Sequence, residues 1–246
     1  MFIHNRLGLL ESVETLLNQE QRLNQVSNNL ANVDTPGFKK ESVTFDEMLY
    51  RVNRTRQRVG KGLHINTVHQ QGVVQKTDAP LDLAISGEGF FRVQTPAGVR
   101  YTRAGNFQRN NEDLLVTANG YPVLGETGPI TLTGDGGLTG SKVDVAPDGR
   151  LSIDGVQVNR LTVVTVDPQA MKKEGENLFR LAEGGVEEAS PNFRLLQGHL
   201  EKSNVNTVTE MTEMIDLFRA YEGQQKMIQA VDALDTLAVS KVGVLG

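Results

Sequence analysis

The stretch "SNNLANVDTPGFKK", Ser27 to Lys40, decides how the rest of the chain is read. It ends a long run with helical spacing, for apolar residues fall at Leu9, Val13, Leu16, Leu23, Val26, Leu30 and Val33. These steps of three and four predict a helix from Leu9 to Val33, with Leu9, Leu16, Leu23 and Leu30 in one heptad row. Thr35 precedes a proline and is pushed out of the helical region, so the helix closes there. Pro36 and Gly37 suit the two central positions of a tight turn, and Phe38 is an apolar anchor beyond it.

What the helix carries on its polar side is unusual. Asn18, Gln19, Gln21, Asn24, Gln25, Ser27, Asn28, Asn29 and Asn32 are uncharged, with Glu20 and Arg22 the only charges among them. A helix that faces water is usually rich in Lys and Glu. Depletion of charge with retained hydrogen-bonding capacity is closer to the core of an interface. Amides bond to neighbouring helices without the desolvation cost of a buried ion. The reading is a helix built for burial among other helices.

The far end of the chain answers it. "SNVNTVTEM" offers Asn206 or Thr207 as an N-cap, and Thr207 with Glu210 has capping-box spacing. Met211, Ile215, Phe218, Tyr221, Ile228, Val231, Leu234 and Leu237 then mark one broad apolar face, and Gly223 is the weak point within it. Between the helices the period changes. Short β-prone runs such as "FFRVQ", "VRYTR", "LLVTA", "YPVLG", "LSI" and "LTVVTV" alternate with turn dipeptides, including Asn119–Gly120, Asp148–Gly149 and Asp154–Gly155. The expected fold class is α+β, with paired, coiled-coil-like terminal helices flanking a central antiparallel β domain. The expected boundaries are 1–35 for the first helix, 36–71 for a turn and basic extended arm, 72–200 for the β domain and 201–246 for the second helix.

Composition excludes several classes of function. The 246 residues include no cysteine, which removes thiol catalysis, thiolate metal sites and disulfides together. A net charge of -5 argues against nucleic-acid binding. That charge is uneven: no acid falls between Met48 and Thr77, where Arg51, Arg54, Arg56, Arg58, Lys61 and Lys76 stand. Such a run reads as a solvated arm, and its functional reading is electrostatic docking on an acidic partner surface. No stretch approaches the ~20 apolar residues that span a bilayer, so no membrane insertion is expected. The amino terminus lacks the pattern of a cleaved secretory signal.

Signatures of catalytic chemistry are sparse. There is no Gly-x-Ser-x-Gly elbow, no phosphate loop and no His-Glu-x-x-His. His64 and His69 are five apart, face opposite sides of any shared strand, and read as surface or turn histidines. "SGEGFF" lacks the third glycine of a dinucleotide loop and reads as a close approach into a strand whose Phe90 and Phe91 fill core or interface. No catalytic, metal or cofactor residue is assigned, and no small-molecule substrate is expected.

Three segments together resemble one family. "SNNLANVDTPGFKK" is similar to the amino-terminal signature of bacterial flagellar rod and hook proteins. "PLDLAISGEGFFRVQTPAGVRYTRAGNF", Pro80 to Phe107, resembles their central motif, and "LEKSNVNTVTEMTEMIDLFRAYEGQQKMIQ", Leu200 to Gln229, their carboxy-terminal one. "GYPVLGETGPI" and the chain's last twenty or so residues look most like the proximal-rod class, while "RVGKGLHI" is similar to the distal-rod class. Two departures stand out, Asn111 to Asp113 in place of a single Asp-Gly turn, and Gly223 in place of a residue such as alanine.

The resemblance implies a structural, non-enzymatic subunit of the basal-body rod, exported by the flagellar type III apparatus without a cleaved signal. It implies polymerisation in the periplasm, with other rod subunits and further copies as partners, into a shaft that transmits torque for motility. The implied assembly residues are Leu9, Val13, Leu16, Leu23, Asn28, Asn29, Leu30 and Asn32 in the first helix, and Pro36, Gly37 and Phe38 at the turn. Ser203, Asn204 and Val205 precede the second helix, which adds Met211, Ile215, Phe218, Tyr221, Ile228 and Leu234. A distal-rod subunit is the alternative, and a periplasmic β-domain enzyme or ligand-binding module is a remoter one.

Overall fold

A computed structural model describes residues 2–53, 56–133 and 142–242, with side chains left out at 2–11, 45–53, 56–63, 235 and 238–242. The chain divides into two compact units. The first combines residues 1–31, 41–66 and 206–246, and the second residues 32–40 and 67–205.

The first unit holds two long helices, α1 (Phe2–Ala31) and α2 (Thr207–Val242), and two paired strands, β1 (Glu41–Asn53) and β2 (Arg56–Thr67). At 1.5 Å per residue the helices are about 45 and 54 Å long. Helix α1 thus starts seven residues before Leu9 and stops two before Val33. Its carboxyl end unwinds early because Thr35 returns to Asn32 through both backbone and side chain. The segment that holds the basic arm forms strands β1 and β2, which pair with each other. Arg54 and the side chains of Arg51, Arg56, Arg58 and Lys61 lie outside the described residues, as does that of Leu9.

Asn206 is the N-cap of α2: its side-chain oxygen accepts from the Thr209 amide at 3.1 Å, and its carbonyl from the Glu210 amide. Thr207 is therefore the first helical residue, and the box predicted on it does not cap the helix. Gly223 faces open space where a Cβ would stand, so its cost is one of helix propensity alone.

Among the described residues, every strand pair of the second unit is antiparallel. Its largest sheet runs in the order Gly128–Pro129, Val123–Gly125, Phe90–Thr95, Gly98–Thr102, Phe179–Leu181, Met171–Lys173. Val163–Val166 joins it by pairing with Phe90–Thr95 on one side and Glu187–Ala189 on the other. Alternation along the central strand fills two cores. Phe91 and Val93 point into one with Leu83, Ile85, Leu115, Ile130, Leu151 and Leu161, while Phe90 points into the other with Tyr101, Val164, Met171 and Phe179. The register keeps faces matched, for Val163 opposes Phe91 and Val164 opposes Phe90. Gly89 permits this approach: a Cβ there would sit 2.4 Å from a methyl of Val163. Each predicted turn dipeptide places its glycine at positive φ, from 83° at Gly120 to 90° at Gly149.

Candidate functional site

The candidate site is a surface, and it begins with how α1 meets α2. Among the described residues, polar contacts between the helices include the Arg22 guanidinium to Glu213 at 2.8 Å and the Asn29 amide to Glu210 at 3.0 Å. Numbers rise along one helix as they fall along the other, so the pair is antiparallel. On α1, Leu16, Leu23 and Leu30 are half-buried and Val26 is fully buried. On α2 the covered positions include Glu210, Met214, Leu217, Tyr221, Gln224, Ile228 and Val231, in alternating steps of four and three, with Thr207 and Glu213 also partly covered.

Helix α2 therefore has two apolar faces where the sequence suggests one. Tyr221 and Ile228 belong to the covered face. Val208, Met211, Ile215 and Phe218 form a second row that remains 75, 49, 52 and 52% exposed, and Leu234 and Leu237 are exposed further along the helix, off this row. Each of these side chains gains about 1.5–3 kcal/mol on full removal from water, and the half still exposed retains roughly half of that. On α1, Val13 and Leu17 are the large apolar residues left exposed among those described, and the exposed remainder includes Gln21, Asn24, Ser27 and Asn28.

The amides of α1 divide in the same way. Asn29 has no exposed surface and serves its own chain. Its side-chain NH2 donates to the Glu41 carbonyl at 2.9 Å and to the Glu210 carboxylate, and its oxygen accepts from the Glu41 amide at 3.0 Å. Glu41 opens strand β1, so the Asn29 amide meets both of that residue's backbone groups as a neighbouring strand would. The Gln25 amide also donates to the Glu41 carbonyl.

In the second unit, residues from all three sequence motifs converge. Lys39 of the first is fully buried, with its ammonium 2.5 Å from the Glu201 carboxylate and 2.8 Å from the Gln70 carbonyl. Glu201, from the third, also accepts from the Gly72 amide at 2.9 Å and from Arg103 of the central motif at 3.2 Å. Arg103 stands over the Phe90 ring and donates to the Gly87 carbonyl. Burial pulls Lys39 and Arg103 below their ordinary values, against the opposing pull of Glu201 on each.

The predicted turn lies beside this cluster. The Phe38 amide donates to the Thr35 carbonyl across Pro36–Gly37, and Gly37 has φ 68°. A Cβ on Gly37 would lie 2.3 Å from the Arg103 carbonyl carbon, so glycine is required twice over. Phe38 is buried with the Lys173 ammonium 3.6 Å above its ring, and the Asn177 amide donates to the Pro36 carbonyl. Asn204 accepts from the Lys40 amide and donates to Val68 and Gln70, Val205 is buried, and the Ser203 hydroxyl accepts from the Val205 amide. Pro36, Gly37, Phe38, Asn204 and Val205 thus serve the interior of the unit that contains them.

His69 departs from its reading as a surface or turn residue. Its ring packs 5.7 Å from Phe90 and 5.5 Å from Phe179. Burial, and then the charges of Lys39, Arg103 and Lys173, hold its pKa down at about 4. Lys39, Arg103 and Glu201 escape sequence reasoning because charged residues are exposed by default and these three lie far apart in the chain. Among the described residues no group of three or more His, Cys, Asp or Glu is placed to hold a metal, and no helix is long and apolar enough to cross a membrane.

Known proteins match this chain over three stretches that overlap the three segments. Residues 9–39 match the family described as flagella basal body rod protein, residues 84–153 the flagellar hook protein FlgE/F/G D1 domain, and residues 196–239 the carboxy-terminal domain of flagellar basal body rod FlgEFG proteins. The flagellar basal-body rod protein FlgG of Buchnera aphidicola subsp. Acyrthosiphon pisum is 34% identical over 78% of this chain and 83% of its own length. FlgG of Bacillus subtilis is 34% identical, with 82% and 86% covered, and FlgF of Rhizobium meliloti is 32% identical, with 83% and 84% covered. The chain belongs to the flagellar basal-body rod proteins, a family of structural subunits rather than enzymes.

Proposed function

We propose that the chain is an axial subunit of the proximal rod, exported through the flagellar type III apparatus and polymerised in the periplasm with other rod subunits and copies of itself. Helices α1 and α2 pair in coiled-coil fashion and form the inner tube. The observation that carries this reading is the second apolar face of α2, Met211, Ile215 and Phe218 above all, left open after α1 has covered the first. A helix with two apolar faces needs two neighbours, and the chain's own unit supplies one. Torque would pass through many such lateral contacts in parallel. The exposed part of the predicted assembly set, Val13 and Asn28 on α1 and Met211, Ile215, Phe218 and Leu234 on α2, forms these contacts. Leu16, Leu23, Leu30, Tyr221 and Ile228 hold the pair together.

A distal-rod role has its own support. The resemblance ties the proximal rod to the F class and the distal rod to the G class. FlgG relatives at 34% identity fall between FlgF relatives at 32% and 36%, with comparable shares of their own length covered. Quantitative mass spectrometry of purified hook–basal bodies separates the two. A few copies per particle, far below hook protein, is the proximal result, and several-fold more is the distal one. Absence from intact particles would overturn the axial assignment.

A further inference from the structure

We propose that Asn29 is the residue that sets the register of α2 against α1, and so fixes where the outward row of α2 stands for the next subunit. The second half of this statement rests on the axial reading above; the first does not. The Asn29 amide is fully buried among three segments distant in sequence, α1 itself, Glu41 at the start of β1, and Glu210 in the first turn of α2. Both of its N–H groups and its oxygen are used, so the match is satisfied in one arrangement. The apolar row cannot supply this specificity. Steps of three and four repeat every seven residues, so leucines and valines pack almost as well after a slip of one heptad, about 10 Å along the axis. A slip leaves a buried amide and the Glu210 carboxylate without each other, and that penalty selects the register. Single buried polar residues fix register in this way at some cost in stability.

The test uses the full chain, which lacks cysteine, carrying spin labels at E20C and R219C, exposed positions outside the contact. In Asn29→Asp the side chain keeps its shape, loses both donors and sets a second carboxylate against Glu210. The intact clasp should give one narrow inter-label distance. N29D at pH 7.5 should broaden it, or move it by one helical turn (~5 Å) or more. Acidification to pH 5 should restore it, because one proton shared between the two carboxylates replaces a donor. Addition of E210Q should also restore it at pH 7.5, because the new amide donates to the carboxylate that N29D introduces. A merely space-filling role predicts that N29D changes nothing and that neither rescue acts. An unchanged N29D distance, failure of both rescues, or no defined distance in the parent chain overturns the proposal. Incorporation into basal bodies is scored in parallel: distances that respond while incorporation does not would keep the clasp and sink the axial reading.

Discussion

At Glu201 one buried carboxylate faces two buried cations, Lys39 and Arg103. A pair of this kind contributes little net stability over an apolar replacement, but removing one partner strands charge in the interior at roughly 3–5 kcal/mol. Glu201→Gln strands two cations at once. Its thermal midpoint for the β unit should fall by roughly 6–20 °C, and a change of under about 2 °C would show that the cluster does not hold the unit together. His69 supplies a second prediction. Unfolded, its imidazole titrates at 6.5, and folded at about 4, with burial the main cause and the neighbouring cations next. Protonation therefore favours the unfolded chain, so the stability gained by burying neutral imidazole is whole above pH 6.5 and is lost as pH falls toward 4. Urea midpoints at pH 7.5 and 4.5 should differ more in the parent than in His69→Gln. Equal differences would contradict the assignment.

Helix α2 shows what periodicity can and cannot tell. The positions of its apolar residues were legible, and so were both helices, the Pro36–Gly37 turn and the hairpin glycines of the β unit. The division of those residues between two faces was not, because a repeat of three and four says that a helix has an apolar sector but not how many neighbours share it. Leu217 and Phe218 are adjacent in sequence and opposite in circumstance, 6% and 52% exposed. Leu217→Ala should lower the stability of the helical unit by roughly 2–5 kcal/mol, seen as reduced helical circular dichroism and an earlier transition. Phe218→Asp should leave that transition within about 0.5 kcal/mol while abolishing incorporation and swimming. The reverse pattern would mean that the two faces have been assigned the wrong way round.

Over the chain as a whole, the three motifs that identify the family are the segments that supply Lys39, Arg103 and Glu201. The sequence displayed each motif separately but not their meeting, since nothing in a local pattern marks a lysine as buried by a carboxylate 162 positions away. Asn29 reads in the sequence as an interface amide, and its side chain bonds to Glu41 and Glu210 of its own chain. What stays open on the helical unit is the outward row of α2, and the axial role turns on it. The most direct measurement replaces Phe218 with a photoreactive benzoylphenylalanine and irradiates purified hook–basal bodies, with Leu217 replaced likewise as control. Position 218 should then join a second axial subunit, and position 217 only α1 of its own chain. If position 218 yields no intermolecular product in particles that contain the chain, the outward face of α2 is not where this subunit meets its neighbours.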